Sequence, residues 1–129
     1  VTHPLGYGNY CALSLDALTA GASPAQLVVV LMNSLLDEMA RARAHIEAKR
    51  FEQKGDSIAK CLSMLNGLSS MLDFDAPGDT AQRLASLYEY CAWRLNESGL
   101  TLDPARVDDA ASIVTTLRDA WAGVDGQPG

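Results

Sequence analysis

His45, His3 and three cysteines are the residues of this 129-residue chain best suited to chemistry, and their spacing supports little of it. His3 stands in a loose, Gly-rich start, and His45 lies between Arg43 and Lys49, one position off an apolar stripe, where it reads as a solvated helix residue. A bundle that passes phosphoryl groups exposes one helical histidine, and His45 is the one candidate for that role. A di-iron bundle needs inward Glu-x-x-His pairs on facing helices, and the sequence has none. No serine or cysteine has a convergent histidine and acid, and no Gly-rich loop could cradle a phosphate. The paired acids Asp37-Glu38 and Asp108-Asp109 are adjacent in sequence, so they diverge on a helix and read as solvated faces or dipole partners. The residues predict no enzyme, no cofactor and no metal.

Cys11, Cys61 and Cys91 are odd in number and widely spaced, and none forms a C-x-x-C pair. Cys61 and Cys91 fall on apolar stripes. They read as small buried residues of a reducing compartment, which predicts a cytoplasmic protein. Ten basic against sixteen acidic residues leave a net charge of −6. Nucleic-acid binding needs a basic face to displace counterions from phosphate, and an anionic membrane surface needs the same; neither partner is expected. No apolar run approaches the roughly 18 residues of a spanning segment, and Val1-Thr2-His3-Pro4 has no basic stretch leading into an apolar one.

The elements that hold these residues are legible in four stripes at helical spacing. Val28, Met32, Leu35, Met39, Ala42 and Ile46 mark the first, and Ile58, Cys61, Leu65, Leu68 and Leu72 the second. Leu84, Tyr88, Cys91 and Leu95 mark the third, and Val107, Ala110, Val114, Leu117 and Trp121 the fourth. Ser23-Pro24-Ala25-Gln26 reads as a capping box with proline at the first helical position. The predicted helices cover 24–48, 51–74, 79–98 and 104–122, with Gly99 as the residue that ends the third and Asp103-Pro104 opening the fourth. Residues 1–22 form a short helical arm, docked or mobile, because so short a segment cannot be helical alone; 124–129 are a disordered tail. Short connections make consecutive helices antiparallel neighbours. The fold class is all-α: one domain, an antiparallel up-down four-helix bundle with an N-terminal helical arm.

The stripes overshoot what one bundle can bury. Leu27 to Met32 is apolar on every side, and Met64, Met71, Trp93 and Ile113 add area off the main stripes. Methionines at Met32, Met39, Met64 and Met71 suit either a core or an adaptable groove. The surplus predicts a bundle that receives a helix from a partner in a groove; a purely structural helical dimer would hide it as well.

The sequence resembles the FliS family of flagellin export chaperones. The likeness runs from Tyr10 to Trp121 and rests on Tyr10, Ser23-Pro24-Ala25-Gln26-Leu27, Arg41-Ala42-Arg43 and Leu72-Asp73. It continues through Leu87-Tyr88-Glu89-Tyr90, Arg94-Leu95 and Arg118-Asp119-Ala120-Trp121. The resemblance implies a cytoplasmic type III export chaperone that binds the disordered C-terminal segment of flagellin in apolar grooves. Binding would prevent premature polymerisation and present the subunit to the export gate. Met32, Asn33 and Ser34 depart from the family's aromatic and acidic-Gly pattern, and Trp93 stands where a basic residue is common. The resemblance and the stripes together place Tyr7, Tyr10 and Leu13 as a lid over a groove. Leu27, Val30, Leu31, Leu68, Leu72, Leu84 and Tyr88 are its expected walls.

Overall fold

The computed structural model describes residues 23–125; the predicted arm and residues 126–129 of the predicted tail lie outside them. Four helices follow in order: α1 (Pro24–Glu47), α2 (Phe51–Ser70), α3 (Thr80–Thr101) and α4 (Pro104–Asp125). α1 packs against α2 and α4, and α3 packs against the same two, so the helices close a ring around one core. This is the all-α, four-helix arrangement that the stripes predict.

The stripes become that core because each presents one face every three or four residues. Met32, Leu35, Cys61, Cys91, Leu95 and Ala110 are wholly enclosed. Met39 and Met64 are buried too, so three of the four methionines fill the interior and only Met71 reaches the surface. Glu38 is buried among them with Arg41 Nη1 at 3.1 Å, which keeps its carboxylate paired. The adjacent acids of α4 look in two directions: Asp108 accepts from Arg43 Nε of α1 at 2.7 Å, and Asp109 from Arg94 of α3.

The α1 start has the predicted capping box. The Gln26 amide donates to the Ser23 hydroxyl at 3.1 Å, and the Ser23 amide to the Gln26 side chain at 2.8 Å. At α4, the Asp103 carboxylate accepts from the Ala105 amide at 3.0 Å while proline fills the first helical position.

Three helix ends differ from the sequence expectation. α2 stops at Ser70 rather than 74: the Met71 and Leu72 amides bond three residues back, and the Ser70 hydroxyl caps the Gly67 carbonyl at 2.7 Å. Residues 71–79 form a loop, turned by the Asp73 carboxylate on the Asp75 amide and by Gly78, whose φ of 89° disfavours any side chain. α3 runs through Gly99 to Thr101. A Cβ at Gly99 would stand 2.9 Å from Ile58 Cδ1, so this glycine permits close approach of α2 and α3 and does not end the helix. α4 continues past Gly123, so Val124 and Asp125 are helical where a tail was expected.

At the end of the bundle away from residues 71–79, two tight turns use left-handed residues that are not glycine. Lys49 has φ 60° and Leu102 φ 58°. The Arg50 amide donates to the His45 carbonyl and the Lys49 amide to the Ile46 carbonyl, the bond pair of a Schellman motif. The left-handed conformation costs a residue with a Cβ about 1–2 kcal/mol.

Candidate functional site: an apolar cavity at one end of the bundle

The loop 71–79 spans the end of the bundle where α1 begins, α2 ends, α3 begins and α4 ends. Nine residues, 71–79, connect α2 to α3 across that end. A cavity of about 300 Å³ opens there. α1 supplies Pro24 and Val28, α2 and the loop supply Leu68, Met71, Leu72, Asp73 and Ala76, α3 supplies Thr80, Ala81, Leu84 and Tyr88, and α4 supplies Trp121.

Val28, Leu68, Leu72, Leu84 and Trp121 stand at or near the ends of the four apolar stripes. Leu68 and Tyr88 form the floor and are buried, Leu72, Leu84 and Trp121 are half-buried, and Met71 lies at the rim. Burial, and then the neighbouring Cys91, push the Tyr88 phenol above its ordinary range, so it stays neutral. Asp73 is the one ionisable carboxylate in the wall. Such a surface can hold apolar side chains; it has no paired acid and base for moving a proton and no nucleophile beside a base. Among the described residues no three histidine, cysteine or acidic side chains come together to hold a metal, and no helix is long and apolar enough to cross a membrane.

Of the residues expected to line a groove, Leu68, Leu72, Leu84 and Tyr88 share this cavity. Leu27, Val30 and Leu31 do not line it. Leu31 is enclosed in the core, and Leu27 packs half-buried against that core, while Val30 is half-buried on α1. Tyr7, Tyr10 and Leu13 lie outside the described residues. Sequence reasoning missed Pro24, Val28, Met71, Ala81 and Trp121 as wall residues. Val28, Ala81 and Trp121 carried a usable signal: they sit at the ends of α1, α3 and α4 that meet beside the one long connection.

Of the remaining candidates for chemistry, His3 and Cys11 lie outside the described residues, and His45, Cys61 and Cys91 take structural places. His45 Nδ1 accepts from Arg50 Nε at 3.0 Å beside the α1–α2 turn. Cys61 and Cys91 are enclosed and unbridged. Burial raises both thiols, Cys61 far upward, with the Glu38 charge adding to it, and Cys91 to about 11. Neither is a nucleophile at neutral pH.

Known proteins match the sequence over nearly the whole chain. The family described as Flagellar protein FliS matches residues 7–128. The flagellar secretion chaperone FliSB of Pseudomonas aeruginosa is 30% identical over 116 residues, covering 90% of this chain and 92% of that protein. The flagellar secretion chaperone FliS of Salmonella typhimurium is 28% identical over 117 residues, 90% of this chain and 87% of the relative. That of Bacillus subtilis is 25% identical over 100 residues, 78% of this chain and 74% of the relative. With the family pattern spanning the described bundle and extending beyond both its ends, the chain belongs to the FliS family.

Proposed function

We propose that this protein is a flagellar export chaperone acting in the cytoplasm. It holds the C-terminal segment of flagellin against premature polymerisation, with the cavity beside loop 71–79 as an anchor point for that segment. The observation that carries this reading is an apolar hollow at the open end of a bundle whose relatives are named flagellar secretion chaperones. A disordered amphipathic segment gains most by burying its large apolar side chains, and a hollow without paired ionisable groups offers burial without chemistry. Coupled folding of such a segment typically buries about 1,000–3,000 Å², so the client would extend from the cavity along the bundle surface. Residues 1–22 join the bundle at Ser23, next to Pro24 in the cavity wall. That connection supports Tyr7, Tyr10 and Leu13 as a lid which the client displaces. Leu27 and Val30, half-exposed on the first turns of α1, would extend the docking path, with Leu31 supporting them from the core.

Titration calorimetry with a peptide of the flagellin C-terminal segment tests the reading. Binding with a negative heat-capacity change is expected, and Leu72→Asp or Leu84→Asp should abolish it while the far-UV helical signal survives. A parent protein that takes up no heat from the peptide, or two variants that bind as the parent does, overturns it. Hydrogen exchange separates a lid from a fixed element: amides of residues 7–13 should exchange early in the free protein and change protection when client is added. Unchanged exchange there at saturating client removes the lid.

A further inference from the structure

The side of α3 turned away from the core carries a second stripe, and its spacing is symmetric about one residue. Arg83 and Leu87 precede Tyr90 by seven and three residues; Trp93 and Glu97 follow it by three and seven. That spacing puts all five on one side of the helix. Leu84, Tyr88, Cys91 and Leu95 hold the other side, against the core. Leu87 is 36% exposed, Tyr90 41% and Trp93 54%. The Tyr90 and Trp93 rings lie 5.9 Å apart, and the Arg94 guanidinium stands 5.6 Å from the centre of the Trp93 ring. With Leu87 one turn away, the middle of the stripe is a contiguous apolar patch rather than a scatter of single residues.

The charges follow the same symmetry. A cation, Arg83, ends the stripe on one side of Tyr90 and an anion, Glu97, ends it on the other, each about 10 Å along the axis. Arg83 pairs with Asp79 at 3.1 Å, both exposed, so that pair can exchange partners at little cost. Glu97 accepts from Arg94 at 2.8 Å and from Arg106 at 3.0 Å. Counted with the α2 and α4 flanks, the face holds Arg83, Arg94, Arg106 and Lys54 against Asp79, Glu89, Glu97, Asp103 and Asp109. The other six basic residues of the chain are set against eleven acids. Two copies of a chain with net charge −6 therefore repel least where they meet by this face.

We propose that this face pairs two copies of the chain, α3 against α3 and antiparallel, across a two-fold axis at Tyr90. A two-fold contact needs a surface complementary to itself, and this stripe is one. Reversed, it sets Tyr90 opposite Tyr90, Leu87 opposite Trp93 of the second copy and Arg83 opposite its Glu97, the last two pairings made twice. A foreign partner requires none of that symmetry. Arg83, Tyr90 and Glu97 are seven apart, so helices crossing at about 20° keep the stripe in contact along its length. A contact one helix wide lies at the small end of specific interfaces, below about 1,200 Å², which predicts a weak dimer with a Kd of about 10–100 µM. None of the five residues walls the cavity, so the dimer leaves the client site open and stands independently of the client reading.

Sedimentation equilibrium of the whole protein from about 1 to 300 µM should show monomer and dimer and nothing heavier. Trp93→Glu should weaken association at least about tenfold, and Arg83→Glu, which sets like charges opposite each other, about threefold to tenfold. Added salt should weaken the parent dimer and strengthen that of Arg83→Glu. Both positions are exposed, so unchanged helical signals and thermal midpoints separate these losses from unfolding. In a Cys11→Ser background, Tyr90→Cys should oxidise to a linked dimer faster than Ser112→Cys, an exposed position on α4. A protein monomeric throughout overturns the proposal, whether residues 1–22, another partner or nothing covers the face. So do variants that associate as the parent does, a mass that climbs beyond the dimer, or cross-linking at position 112 as fast as at position 90.

Discussion

The two poles of this bundle are closed by opposite means. At one, α1–α2 and α3–α4 are joined by turns of two or three residues, Gly99 lets α3 lie against Ile58, and Lys54 spans the gap by donating to a backbone carbonyl. At the other, nine residues from Met71 to Asp79 arch over helix ends that do not meet, and a hollow of about 300 Å³ is left between Leu68, Leu84, Tyr88 and Trp121. The same four stripes run through both. Space for a guest therefore depends less on how apolar the helices are than on how long the connection is that ties their ends.

Substitutions at the two poles should behave differently, and equal effects would break the contrast. Leu95→Ala, wholly enclosed in the core, sets the upper scale, a loss of about 2–5 kcal/mol in urea unfolding. Gly99→Leu at the tight pole should cost about 1–3 kcal/mol by overpacking against Ile58. Ala81→Leu at the open pole should change stability by less than about 0.5 kcal/mol, since it fills empty space, yet should weaken uptake of the flagellin segment in calorimetry.

Ser23→Ala at the open pole should lose about 1 kcal/mol with the capping box. Lys49→Gly at the tight pole should gain up to about 1 kcal/mol by releasing left-handed strain; a loss there would refute the strain.

The smallest effect concerns pH. Burial holds the Cys91 thiol at about 11, from an ordinary 9.0, so the folded protein keeps a proton that the unfolded chain releases. That contribution is complete below about pH 9 and disappears as pH rises through 11. The urea midpoint of the parent should therefore fall more steeply over that window than that of Cys91→Ala.

Much of this was readable in the residues. The stripes of α1 and α3 carry the core that the structure shows, because a long amphipathic period leaves one solution for which face turns inward. Ser23 and Gln26 specify a helix start locally, within four residues, and Asp103 does so for α4. What the sequence hid was set by tertiary approach. Gly99 looks like a helix terminator until Ile58 is known to lie against it. Leu31 belongs to an all-round apolar run, and only the packing of α2 and α4 on α1 decides that it points inward while Leu27 and Val30 stay half-exposed. The cavity is a property of where helices stop, and α2 stopping at Ser70, four residues early, is a competition among weak hydrogen bonds that periodicity does not register.

Asp108 and Asp109 carry one further consequence. One grips Arg43 on α1 and the other Arg94 on α3, so neighbouring carboxylates pull the last helix from both flanks. Turning α4 about its own axis by one residue, roughly 100°, would break both grips together. The pair acts as a rotational detent, fixing which side of α4 is offered inward and, three turns further along, where the indole of Trp121 comes to rest.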